Sequence, residues 1–134
     1  MRRRVKIFIG AAAIAVIISG VFLTGYLMSV QKYRTAVAQI TYTHSDALSI
    51  PDGVYIGECD VRFIYAKVEV TVKDRRIAGI RLLEHRHDRG IQAERILREI
   101  VAQQKVDVDV IAGATNSSKV LKKAVDNALS GASR

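Results

Sequence analysis

The chain has 134 residues, enough for one domain with a modest core plus appendages. Its formal net charge of +8 invites a nucleic-acid reading, but the charge is unevenly placed. Arg2, Arg3, Arg4 and Lys6 crowd the N-terminus, Lys32 and Arg34 follow, and residues 51–134 carry 15 basic against 12 acidic side chains. That is an ordinary mixed surface, with neither a basic stripe nor a nucleic-acid module, so nucleic acid is discounted as a partner. The single cysteine, Cys59, excludes an intramolecular disulfide and any cysteine-cluster metal or iron–sulfur site. It reads as a small buried apolar residue.

From Ile7 to Val30 no residue is charged, and most are aliphatic, alanine or glycine. At about 1.5 Å per residue, a helix of this length crosses the hydrocarbon core of a bilayer. A secretory signal has a shorter apolar region and a small-x-small end, whereas Leu23 to Val30 is bulky, so the segment reads as an uncleaved anchor over residues 1–30. The arginine cluster ahead of it places the N-terminus in the cytoplasm, mildly opposed by Lys32 and Arg34. The chain that follows is then a single-pass membrane protein with an extracytoplasmic C-terminal domain. Residues 31–50 read as a linker whose first part extends the helix. Tyr26 and Tyr33 suit the membrane interface, and His44 reads as solvated.

Pro51-Asp52-Gly53 is a turn signal and opens the domain, residues 51–134. Gly53 to Asp60 reads as a first strand. Phe63 to Lys73 alternates Val68, Val70 and Val72 with Lys67, Glu69, Thr71 and Lys73, the mark of a strand with one buried face. Asp74-Arg75-Arg76 turns the chain, and Ile77 to His85 returns as a third strand. His85 and His87 sit at i and i+2 and point to one side, a spacing that suits a metal. No further histidine or cysteine beyond His44 completes a ligand set, so no metal is expected and a solvated charged strand end is the simpler reading.

Ile91 to Gln104 reads as a helix with an apolar stripe of Ala93, Ile96, Leu97, Ile100 and Val101. A short strand over Val106, Val108 and Val110 follows. Ser117 to Leu129 reads as the last helix, stopped by Gly131. Between them lies Asp109-Val110-Ile111-Ala112-Gly113-Ala114-Thr115-Asn116-Ser117-Ser118. Small residues at a strand-to-helix junction, followed by hydroxyls, make either a plain turn with its cap or a phosphate site. In the second case backbone amides and the hydroxyls of Thr115, Ser117 and Ser118 would hold the anion.

Asp109 through Thr115 resembles the flavinylation motif of FMN-binding domain proteins. This family includes flavin-carrying components of the sodium-translocating NADH:quinone oxidoreductase and of Rnf complexes. Asp109, Gly113, Ala114 and Thr115 match its pattern, while Val110 stands where a glycine is usual and Ala112 where a serine or threonine is usual. Asp52, Gly53, Tyr55 and Gly57 also resemble the family's opening strand, and His85 and Gly90 loosely fit its histidine-then-glycine connection beside the flavin. The resemblance implies FMN as cofactor, joined to Thr115 by a phosphoester that a separate flavin transferase makes. It implies an electron carrier rather than a stand-alone enzyme, serving redox partner proteins or a quinone-linked membrane complex. Arg89 is a candidate for the flavin phosphate or simply a surface residue. Two alternatives stand beside this: FMN held non-covalently, and a membrane-tethered interaction domain of the same fold without cofactor. The expected fold is α+β, a small mostly antiparallel sheet with two helices, behind one N-terminal transmembrane helix.

Overall fold

Alternation of apolar and polar residues builds the sheet. The computed structural model describes residues 2–43, 50–87 and 90–132, with side chains from residue 8 onward except at 11. It has three strands, β1 (Gly53–Asp60), β2 (Tyr65–Lys73) and β3 (Arg76–Arg86), paired antiparallel in the order β1-β2-β3. Along β2, Ala66, Val68, Val70 and Val72 are buried while Lys67, Glu69 and Thr71 are only partly covered. Helix α2 (Ile96–Gln103) packs on β3, and α3 (Thr115–Ala132) lies on β1 and β2. Val120, Leu121, Ala124, Val125, Ala128 and Leu129 of α3 complete the core. The α+β expectation, antiparallel sheet and helices, holds. A Cβ on Gly57 would overlap the Ala124 carbonyl and the Ala128 amide, so glycine is what lets α3 settle this close to β1.

Two details of the β2–β3 hairpin fix what its ends can do. The turn residues Asp74 and Arg75 both have left-handed φ, 52° and 58°, between the paired Lys73 and Arg76. This twist suits a two-residue hairpin but is normally met by glycine or asparagine. Asp52 Oδ1 accepts the Arg75 N–H at 3.1 Å and steadies the turn. Amides of Arg75 and Asp74 hold the Asp52 carboxyl below its ordinary range. At the other end the register shifts between Lys67 and Val68, leaving Leu83 as the extra residue of a bulge. The bulge resets the alternation, so that His85, opposite the fully buried Ala66, turns inward.

Three expectations are corrected. The Ile91–Gln104 helix begins as a 3₁₀ turn (Ile91–Arg95) and becomes α-helical only at Ile96. It stops where Gln104 takes a left-handed φ of 55° and its side chain bonds both the N–H and the carbonyl of Ile77, at 2.8 and 3.0 Å. The strand over Val106–Val110 does not form. Val106 and Val108 are buried and Asp107 and Asp109 exposed, as the alternation requires, but the segment is held by a side chain instead of a ladder. Lys122, itself buried, donates through Nζ to Asp107 Oδ1 and to the Val108 carbonyl, each at 2.7 Å. Finally, α3 starts at Thr115 and runs through Gly131 to Ala132; Gly131 lacks the left-handed conformation of a helix stop.

The chain divides into two compact units, Met1–Thr35 and Ala36–Arg134. In the first, helix α1 (Arg2–Ala38, its last turn in the second unit) exposes Phe8, Ile14, Ile17, Val21, Phe22 and Leu27. From Phe8 it is long and apolar enough to cross a membrane. Ser19, Thr24 and Ser29 each donate their hydroxyl to the carbonyl four residues earlier at 3.0 Å, so no aliphatic hydroxyl of the apolar run is left unpaired for hydrocarbon. In the second unit, Thr41 to Thr43 dock on α3. The Thr43 N–H donates to Asp126 Oδ1 at 2.9 Å, Lys123 Nζ donates to the Thr41 carbonyl at 2.8 Å, and Lys122 Nζ stands 4.5 Å from the centre of the Tyr42 ring. His44 and Arg89, singled out from the sequence, lie outside the described residues.

Candidate functional site: the N-terminus of the last helix

A tight turn delivers the chain into α3. The Ala114 N–H donates to the Ile111 carbonyl at 3.0 Å, Gly113 takes φ +78°, and the Ser118 N–H makes the first helical bond to the Ala114 carbonyl at 2.9 Å. Ala114 is therefore the N-cap, and it offers no side-chain oxygen. The amides of Thr115, Asn116 and Ser117 form no hydrogen bond among the described residues. They lie at the positive end of an 18-residue helix dipole. Beyond Gly113 is open space: a Cβ there would meet nothing within 4 Å.

The motif residues divide by role. Thr115 and Gly113 are exposed, Ala114 is buried, and Ser117 and Ser118 point into the protein. Ser118 Oγ accepts the Ile111 N–H at 3.1 Å and thereby braces the turn from within. A Cβ on Gly90 would overlap Ser117 Oγ, so the strand-to-helix connection and the start of α3 lie in direct contact. Asp109 is exposed and, with Val110 and Ile111, lines a cleft of about 680 Å³ whose other wall carries Arg95, Arg98 and Glu99. His85 belongs to a separate group. Its ring is 2% exposed, and Nδ1 lies 3.0 Å from Glu94 Oε1. The His87 ring is 4.4 Å away, centre to centre.

Sequence reasoning passed over Arg95, Arg98, Glu94 and Lys122. Arg95 and Arg98 are three apart on the outer face of the helical segment, a spacing that could have flagged one positive wall. Glu94 and Lys122 carried no such signal, because only the fold brings them to their partners.

Residues 65–130, from the start of β2 almost to the end of α3, match the model of the FMN-binding domain. No curated protein matches the chain. Strand β1 lies ahead of the matched segment but pairs with β2 and packs on α3 as part of the same sheet. The residues at the α3 terminus fit such a cofactor: open amides and an exposed hydroxyl suit its phosphate, and two arginines face the neighbouring cleft. The cleft is within the range of about 300–1,000 Å³ usual for small-molecule sites. The segment that carries this terminus thus matches the FMN-binding domain, and FMN is the cofactor that this domain indicates.

Proposed function

We propose that the protein is a membrane-anchored, extracytoplasmic electron-transfer protein whose FMN is joined through a phosphoester to Thr115. The observation that carries this reading is the open start of α3, where the exposed Thr115 hydroxyl stands beside amides without partners. A phosphodiester at that point keeps a negative charge, and a helix N-terminus stabilises such a charge by about 0.3–1 kcal/mol at an exposed position. Bound FMN supplies a centre that takes one or two electrons. The chain's own residues bind and orient. Thr115 Oγ1 is the attachment atom, Gly113 leaves space for the ligand, and Ser118 and the Gly90–Ser117 contact hold the turn in place. Arg95 and Arg98 offer positive charge across the cleft from Asp109.

On this reading a flavin transferase makes the bond, and redox partner proteins or a quinone-linked membrane complex exchange electrons with the domain. Residues 1–30 anchor the protein with its N-terminus in the cytoplasm, residues 31–50 link, and residues 51–134 carry the flavin. Ala112, exposed in the turn where the family pattern has a hydroxyl, favours a second reading in which FMN binds without a covalent bond. Co-production with a flavin transferase separates the two. Flavin fluorescence that survives a denaturing gel, and is lost in Thr115→Ala, supports attachment. Yellow protein whose flavin leaves on denaturation supports reversible binding, and colourless protein supports an interaction domain without cofactor.

A further inference from the structure

The end of β3 and the 3₁₀ turn after it bring together three side chains that the flavin reading does not require as a group. His85 and His87 are two apart on the chain, and the Leu83 bulge turns the first of them inward. Gly90 then reverses the chain: its carbonyl accepts the Ala93 N–H at 2.9 Å and its own N–H donates to His87 Nδ1 at 3.0 Å. That reversal returns Glu94 to the histidines. One ligand atom from each of His85, His87 and Glu94 lies within 4.8 Å of the others.

The chemistry of the group is that of a metal site. His85 Nδ1 and Glu94 Oε1 lie 3.0 Å apart, close to the spacing of two ligand atoms on one ion, so Nδ1 and not Nε2 is the nitrogen turned toward the group. That Nε2 is buried and has no hydrogen-bond partner. His87 and Glu94 are half-buried, so an ion reaches the group from solvent with His85 behind it. Two imidazoles and one carboxylate, with a position left open, suit a borderline divalent cation of the Zn²⁺ class. Ca²⁺ and Mg²⁺ prefer all-oxygen sets.

We propose that His85, His87 and Glu94 form a binding site for a Zn²⁺-class divalent cation, clamping the end of β3 to the 3₁₀ turn. Each imidazole must present a bare nitrogen to the ion. The cation also competes with the Gly90 N–H for His87. The site rests on this cluster alone and stands whether or not flavin is bound.

The test uses the full, flavin-free chain in detergent, purified without a polyhistidine tag and titrated with Co²⁺ as a spectroscopic probe, then with Zn²⁺ in competition. The expected result is one Co²⁺ per chain with visible absorption of a low-coordinate nitrogen–oxygen site, displaced by Zn²⁺. His87→Ala and the near-isosteric Glu94→Gln should each weaken binding by about tenfold or more, while His44→Ala leaves it unchanged. Zn²⁺ should raise the melting temperature of the parent protein and not that of Glu94→Gln. Absence of saturable binding, or binding that survives both His87→Ala and Glu94→Gln, overturns the proposal.

Discussion

Gly90 and Ser117 touch so closely that no side chain fits between them: a Cβ on Gly90 would overlap both Oγ and Cβ of Ser117. The backbone of Gly90 is ordinary, with φ −97°, so space rather than conformation demands glycine here. This one contact ties the connection after β3 to the first turn of α3, the turn on which Thr115 sits. Gly90→Ala should therefore destabilise the domain by about 1–3 kcal/mol, the usual cost of overpacking. Adding Ser117→Gly removes the overlapping atoms. Thermal melts of the two single variants and the double variant should show the double variant to be more stable than the sum of the singles predicts. Additive losses would mean that Gly90 is needed for another reason.

The hairpin turn offers a change in the opposite direction. Arg75 holds a left-handed φ of 58° that a side chain adopts at a cost of about 1–2 kcal/mol and glycine does not. Arg75→Gly makes the Asp-Gly pair favoured in such turns and keeps the N–H that Asp52 accepts. Glycine's greater freedom in the unfolded chain offsets part of the gain, so the expected net stabilisation is about 0.5–1 kcal/mol, read as a higher melting temperature.

Tyr42 gives the docked segment a pH dependence. Burial, helped by the nearby charges of Asp107 and Asp126, pushes its phenol from 10.0 up to about 12. The folded state thus prefers the protonated phenol. Its contribution is fully present below pH 10.0 and is lost as pH rises through about 12. Melting temperatures followed upward from about pH 9 should fall in that window, and Tyr42→Phe should flatten this part of the fall. An equally steep profile in Tyr42→Phe would assign the alkaline loss to other groups.

Much of the fold was legible because it rests on local patterns. The valine alternation of β2 marks a half-buried strand, Asp74 and Arg75 sit where a turn is needed, and the apolar stripe of α3 faces the sheet. The motif around Thr115 was legible for a related reason, since small residues between an extended segment and a helix mark the junction directly. What escaped was set by distant partners. Val106 to Val110 alternates like a strand, yet Lys122, a residue of the polar-looking face of α3, replaces the missing ladder. Nothing local foretells the Leu83 bulge, and without it His85 would face outward. Glu94 joins the histidines only through the reversal at Gly90, which is why two histidines in the sequence looked short of a ligand set.

Whether Thr115 carries the flavin is tested most directly by the intact mass of the full chain co-produced with a flavin transferase, with the modified peptide mapped by fragmentation. The expected result is an added FMN mass on the peptide containing Thr115 and no addition in Thr115→Ala. That variant should otherwise melt within about 0.5 kcal/mol of the parent, because the side chain is exposed. An unmodified mass in the presence of active transferase, or an addition that persists in Thr115→Ala, would contradict attachment at the start of α3.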